Sequence, residues 1–195
     1  MNKLMDWMKG KFMKYHISDK EYDMIQADMQ EENRNSLLFF SVITILFLIV
    51  MLLISFCFPK FVRFRSAYIL LMLVEVLILA GAYISKNKNP AILLFCMYAF
   101  EIMLYAFAVI LGTVTQPQEQ AVAIVAFLLT VPLLFTDKPF RMICGIGVGV
   151  VLFILTAIEV KDKSVLFVDI VDVVVFGFLG AILGTYAMKL KCQRL

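Results

Sequence analysis

Apolar residues do not alternate with polar ones along this chain; they fall in blocks of about 15 to 24, separated by short charged connectors. A block of about 20 apolar residues spans a hydrocarbon core of about 30 Å. In lipid every backbone N–H and C=O must find its partner inside the segment, and the blocks lack the two-residue alternation of a porin strand, so helices are predicted. The pattern places spans at Ser36 to Phe58, Ala67 to Ile84, Ala91 to Leu111, Ala121 to Phe135, Phe140 to Ile158 and Val165 to Met188. The fourth is short and holds Pro132, so it must start in the polar run Gln116 to Gln120 or sit in a thinned bilayer. The expected fold class is all-α, a polytopic membrane bundle of about six helices.

Ahead of the first span, Ser18-Asp19-Lys20-Glu21 has the form of a capping box, which starts a helix near Asp19. Tyr22, Ile25 and Met29 recur at helical spacing while Glu21, Asp23, Asp28, Glu31 and Glu32 stay polar, so this helix is amphipathic and runs on into the membrane. Before it, Leu4, Trp7, Met8 and Phe12 among Lys3, Lys9, Lys11 and Lys14 suit an anionic lipid surface. No apolar core follows the early lysines, which argues against a signal peptide. The organisation read from the pattern is a cytoplasmic head over 1–35, a transmembrane domain over 36–188, and the start of a cytoplasmic linker helix over 189–195, where Lys189 to Leu195 contains no helix stop.

Composition agrees with the bilayer as solvent: 63% of the 195 residues are hydrophobic and 17% charged. Charge changes the picture by fixing orientation. With the N-terminus inside, 13 of the 18 lysines and arginines fall on the cytoplasmic side and 5 (Lys60, Arg63, Arg65, Lys161 and Lys163) outside, which favours a cell-membrane protein with both termini cytoplasmic. The net charge of +3 reflects that topology, and no basic run with interleaved aromatics suggests nucleic acid.

Candidate chemistry is sparse. Cys57, Cys96, Cys144 and Cys192 are scattered without a CxxC, His16 is the single histidine, and no nucleotide, zinc-protease or nucleophile-elbow motif is present. No catalytic residue, metal or cofactor is therefore expected. Cys192, beside the membrane and near lysines, reads as a small apolar filler before a palmitoylation site. The intramembrane acids carry more weight, because a charge at the bilayer centre costs about 2.5 to 3.5 kcal/mol or more and usually faces a partner or a wet cavity. Glu75 and Glu101 fall near mid-membrane on consecutive spans, where they would share a proton or a cation. Asp169 and Asp172 share one face of the last span, with Glu159 just beyond the end of the fifth. Asp169 and Asp172, with Glu159, predict an outward-facing polar pocket for a cationic ligand, with Glu75 and Glu101 as a deeper element. The structural alternative pairs Asp169 and Asp172 with Arg63 and Arg65, and leaves Glu75 or Glu101 bonded to Tyr98, Tyr105 or a carbonyl.

Small residues mark packing faces: Gly145 and Gly149 in the fifth span, and Gly177, Gly180 and Gly184 in the sixth, include two GxxxG pairs that let helices approach closely. Packing between spans five and six is expected before a homodimer face.

The acidic helix Glu21-Tyr22-Asp23-Met24-Ile25, continuing through Asn33-Arg34-Asn35-Ser36-Leu37-Leu38-Phe39-Phe40-Ser41 into the first span, resembles the start of membrane-bound diguanylate cyclases of Gram-positive anaerobes. The resemblance implies a six-span sensor, followed by a helical linker and a cytoplasmic GGDEF domain. The GGDEF loop, its nucleotide pocket and its metal-binding aspartates have no counterpart here, so the chain would be the membrane input module and cyclic di-GMP synthesis would belong to a further C-terminal part. The competing expectation is a six-span substrate-capturing subunit of an importer, although the Ala-x-x-x-Ala signature common in such subunits is missing from the first span. A third, a scaffold without ligand, leaves the intramembrane acids unexplained.

Overall fold

The computed structural model describes residues 19–85 and 90–192, with the side chains of 19–24, Lys60 and Arg63 not described. The basic stretch with Trp7, His16, Ser18 of the capping box, Lys86, Lys88 and the last three residues lie outside that range. Among the described residues six α-helices follow in order: α1 (Asp19–Cys57), α2 (Arg65–Ile84), α3 (Pro90–Gly112), α4 (Val122–Thr130), α5 (Pro139–Val160) and α6 (Lys163–Cys192). No strand occurs among the described residues. The protein is an all-α, multi-pass helical membrane bundle: α1, α2, α3, α5 and α6 are each long and apolar enough to cross a bilayer, and Val122–Leu133 forms a shorter apolar helix.

Prolines set most boundaries. Pro59 opens a 3-10 turn that ends the 39-residue α1, while Pro90 and Pro139 occupy the first turns of α3 and α5, where a missing N–H costs nothing. The acidic segment and the first span are therefore one helix, as the absence of a break before Ser36 implies. Pro132 converts the end of α4 into a 3-10 turn, Val131–Leu133. That leaves α4 and its turn at roughly 20 Å, well short of the roughly 30 Å hydrocarbon core.

The described residues divide into two compact units, one within 30–100 and one within 1–29 and 101–195. In the first, α1 buries Leu37, Ser41, Leu48 and Ser55, and α2 buries Tyr68, Glu75 and Ala82, each at near-heptad spacing. The opposite faces carry Phe39, Leu46 and Leu53 on α1 and Leu70 and Leu77 on α2, all exposed; so much outward apolar surface has only lipid as a suitable solvent. Arg65 donates to the Ser55 carbonyl (2.9 Å) and stands 4.0 Å over the Phe56 ring, which ties the start of α2 to the end of α1.

In the second unit α6 is the central element, packed on both α4 and α5. Its buried stripe is Asp169, Val173, Gly177, Gly180, Gly184, Met188 and Cys192, a run at three- and four-residue spacing. The glycines have separate jobs. Gly177 meets Val150 and Ile146 of α5, a contact that a Cβ would tighten to 2.9 Å. Gly180 lies so close under the Leu128 carbonyl of α4 that any side chain would collide with backbone, and Gly184 packs on Pro132 and Met142. On α5, Gly145 and Gly149 receive side chains instead: Glu101 Oε2 at 3.4 Å and the Tyr105 ring at 3.0 Å from where their Cβ atoms would stand. The first GxxxG is thus a groove for two residues of α3, and the second brings α4 and α6 together.

Candidate functional site

Contacts along α6 fix the path of α4. Ala121 meets Asp169, Leu128 meets Gly180 and Pro132 meets Gly184, so α4 runs beside α6 in the same direction for roughly 22 Å. Its short length leaves the preceding segment, residues 113–121, without regular structure beside the first turns of α6. Backbone without helical partners must take its hydrogen bonds from elsewhere in the protein or from water.

Lys161 and Asp169 supply them. The α5 helix stops at Val160, and Lys161 takes an extended conformation that turns its side chain inward. Its ammonium donates to Asp169 Oδ2 and to the Glu119 carbonyl (2.6 Å), while Asp169 Oδ1 accepts the Ala121 N–H (3.1 Å). The Asp162 N–H donates to the Pro117 carbonyl (3.1 Å), a further link between the same two turns. Both side chains of the ion pair are almost completely buried, at 0% and 1% exposure. Asp169 therefore has a partner eight residues before it in the chain, while Arg65 bonds the Ser55 carbonyl and the Arg63 side chain lies outside the described residues. Sequence reasoning counted Lys161 only as a topology charge. The available signal was a lysine at a helix break beside a span whose next turns contain an acid.

Beside this latch lies a cavity of about 110 Å³, lined by Gln120, Ala121, Val122, Val125, Asp169, Asp172 and Phe176. That volume suits three or four water-sized groups, at roughly 30 Å³ each. Asp172 is half-buried in its wall and, unlike Asp169, has no ion pair among the described residues. Phe176 follows it by one turn on the same helix, so a carboxylate and an aromatic face line one small space. With Asp169 engaged by Lys161, Asp172 is the carboxyl of the cavity wall that has no ion pair among the described residues.

The remaining candidate acids lie elsewhere. Glu159 is exposed at the end of α5 and does not line the cavity. Glu101 extends toward Gly145 in the second unit, and Glu75 is fully buried in the first. Glu101 is half-buried, and neither residue lines the cavity. At the far end of α6, the Lys191 ammonium donates to the Leu133 carbonyl (3.0 Å), so the α4 segment is tied to α6 at each end, here and at Ala121. Cys57 and Cys144 are exposed, Cys96 and Cys192 are buried, and no group of three potential metal ligands occurs among the described residues. No known protein family matches the chain, and no curated protein or solved structure shows significant similarity to it.

Proposed function

We propose that this chain is the membrane-embedded sensing module of a signalling receptor, in which the Asp172 cavity takes a small organic cation and α6 carries the result across the bilayer. The observation that carries this reading is the placement of the unpaired Asp172 carboxylate beside Phe176 in a cavity walled by the irregular segment at Gln120 and Ala121. A carboxylate and a ring face suit an alkylammonium head by charge and by cation–π attraction. The same wall is latched to α6 through Ala121 and Asp169, and α6 continues without interruption for 30 residues to Cys192. Occupancy that favours one position of the 113–121 segment thereby favours one packing of α4 on α6.

On this reading the cavity faces outward and the Lys191 end is cytoplasmic, in keeping with the distribution of lysine and arginine. The resemblance to six-span cyclase receptors gives the output, a cytoplasmic GGDEF domain driven by α6, and a homodimer would present two such helices to it. The test is a thermal-unfolding screen of the purified chain against small primary, tertiary and quaternary ammonium ions. A stabilising shift that disappears in Asp172→Asn and persists in Glu159→Gln is expected; no shift with any cation, or a shift equal in Asp172→Asn, overturns the assignment.

A capture subunit of an importer is the second reading, favoured by the fact that the cavity needs no catalytic group to serve it. Cation uptake by whole cells producing the chain separates the two: uptake supports the importer, and binding without uptake supports the sensor.

A further inference from the structure

Among the described residues seven hydroxyls donate a hydrogen bond to a carbonyl three or four residues earlier, as serine and threonine do in helices: Ser55 to Leu52, Ser85 to Ala82, Thr113 to Val109, Thr115 to Leu111, Thr130 to Ala126, Thr156 to Leu152 and Thr185 to Ala181. Ser41 does not. It is fully buried in the middle of α1, and its hydroxyl has no hydrogen-bond partner. The group it faces is the Glu75 carboxyl of α2, in the same compact unit. Glu75 is fully buried as well, and neither of its oxygens is hydrogen-bonded. Two buried polar groups, one on α1 and one on α2, thus lie close to one another while neither has a conventional hydrogen-bond partner.

Among the described residues no ion pair compensates Glu75. From α1 the facing polar group is Ser41; from α3 the Cys96 thiol packs against Gly81, almost two turns further along α2; on α2 itself Tyr68 is buried two turns away on the same face. No lysine, arginine or histidine is paired with Glu75 among the described residues. A carboxylate ion without a counter-charge in hydrocarbon costs far more than a neutral acid does, so the group that can satisfy this site is a cation small enough to need no cavity.

We infer that Glu75 and Ser41 form a proton-binding site inside the membrane domain, independent of the Asp172 cavity. The proton adds to a carboxylate oxygen of Glu75 from water and leaves the same way. The neutral acid is the resting form in the closed α1–α2 packing, and the ionised form requires the Ser41 hydroxyl to swing in as a donor or water to enter. Each state therefore prefers a different approach of α1 and α2, which makes their packing sensitive to pH.

Infrared difference spectroscopy on the full chain in lipid, titrated with acid and base, tests this. The wild-type-minus-Glu75→Gln spectrum is expected to show a carboxylic-acid carbonyl band that disappears as pH rises, with its midpoint displaced in Ser41→Ala. Reaction with the lipid-soluble dicyclohexylcarbodiimide should give an adduct on Glu75 that a water-soluble carbodiimide does not. A band that persists across the whole stable pH range would mark a permanently neutral structural acid and overturn the inference, as would the absence of any acid band and adduct. Should Glu75→Gln fail to fold, the Ser41→Ala displacement and the Glu75→Asp band decide the matter by the same criteria.

Discussion

The Lys161 ammonium and the Asp169 carboxylate, eight residues apart across the turn between α5 and α6, are buried against each other and hold the chain before α4 between them. The pair is less a source of net stability than a satisfier of backbone: it bonds a carbonyl at Glu119 and an N–H at Ala121 that no helix partners. Such pairs often contribute little over a well-packed apolar replacement, yet removing one member leaves a buried charge alone.

Lys161→Met is accordingly expected to destabilise the chain by about 3–5 kcal/mol, and Lys161→Met with Asp169→Asn to recover a large part of that loss. Reversible denaturant unfolding in mixed micelles measures both. Equal destabilisation by the single and double variants would show that the ion pair is incidental to the fold.

The glycines of α6 and α5 predict opposite responses to the same substitution. Gly180→Ala drives a Cβ into the Leu128 carbonyl, a backbone atom that cannot step aside, so a loss of about 1–3 kcal/mol is expected. Gly147 has open space around it, and Gly147→Ala should change stability by less than about 0.5 kcal/mol. Unfolding midpoints of the two variants in one detergent make the comparison direct.

If α4 crosses the membrane beside α6, its flanks lie on opposite sides. Single cysteines placed at Gln118 and Lys138 in a cysteine-free background should react with a membrane-impermeant maleimide from opposite faces of sealed vesicles. Labelling of both from one face would make α4 a re-entrant segment and change the topology to five crossings.

How much of this was visible beforehand follows from range. The long helices are written locally, in apolar blocks closed by Pro59, Pro90 and Pro139, and even the weak fourth segment was marked by its length and by Pro132. The buried latch was not, because a lysine in a short connector looks the same whether it faces water or folds back on Asp169; only the extended turn after Val160 decides it. The glycine pairs were visible as small residues, but not which partner each would meet: side chains at Gly145 and Gly149, and the backbone of Leu128 at Gly180. Among the acids, residue type and depth singled out Asp169, Asp172 and Glu75 alike. Neutralisation of the first, the cavity at the second and the unpartnered burial of the third depend on neighbours distant in sequence or on another helix.

The central claim is that occupancy of the Asp172 cavity is felt at the other end of α6. Hydrogen–deuterium exchange of the chain in lipid nanodiscs, with and without the ammonium ion that stabilises it best, measures this directly. The account predicts altered protection both in residues 113–121 and in residues 185–192, with both changes abolished by Asp172→Asn. Protection confined to 113–121, or changes that survive Asp172→Asn, would contradict it.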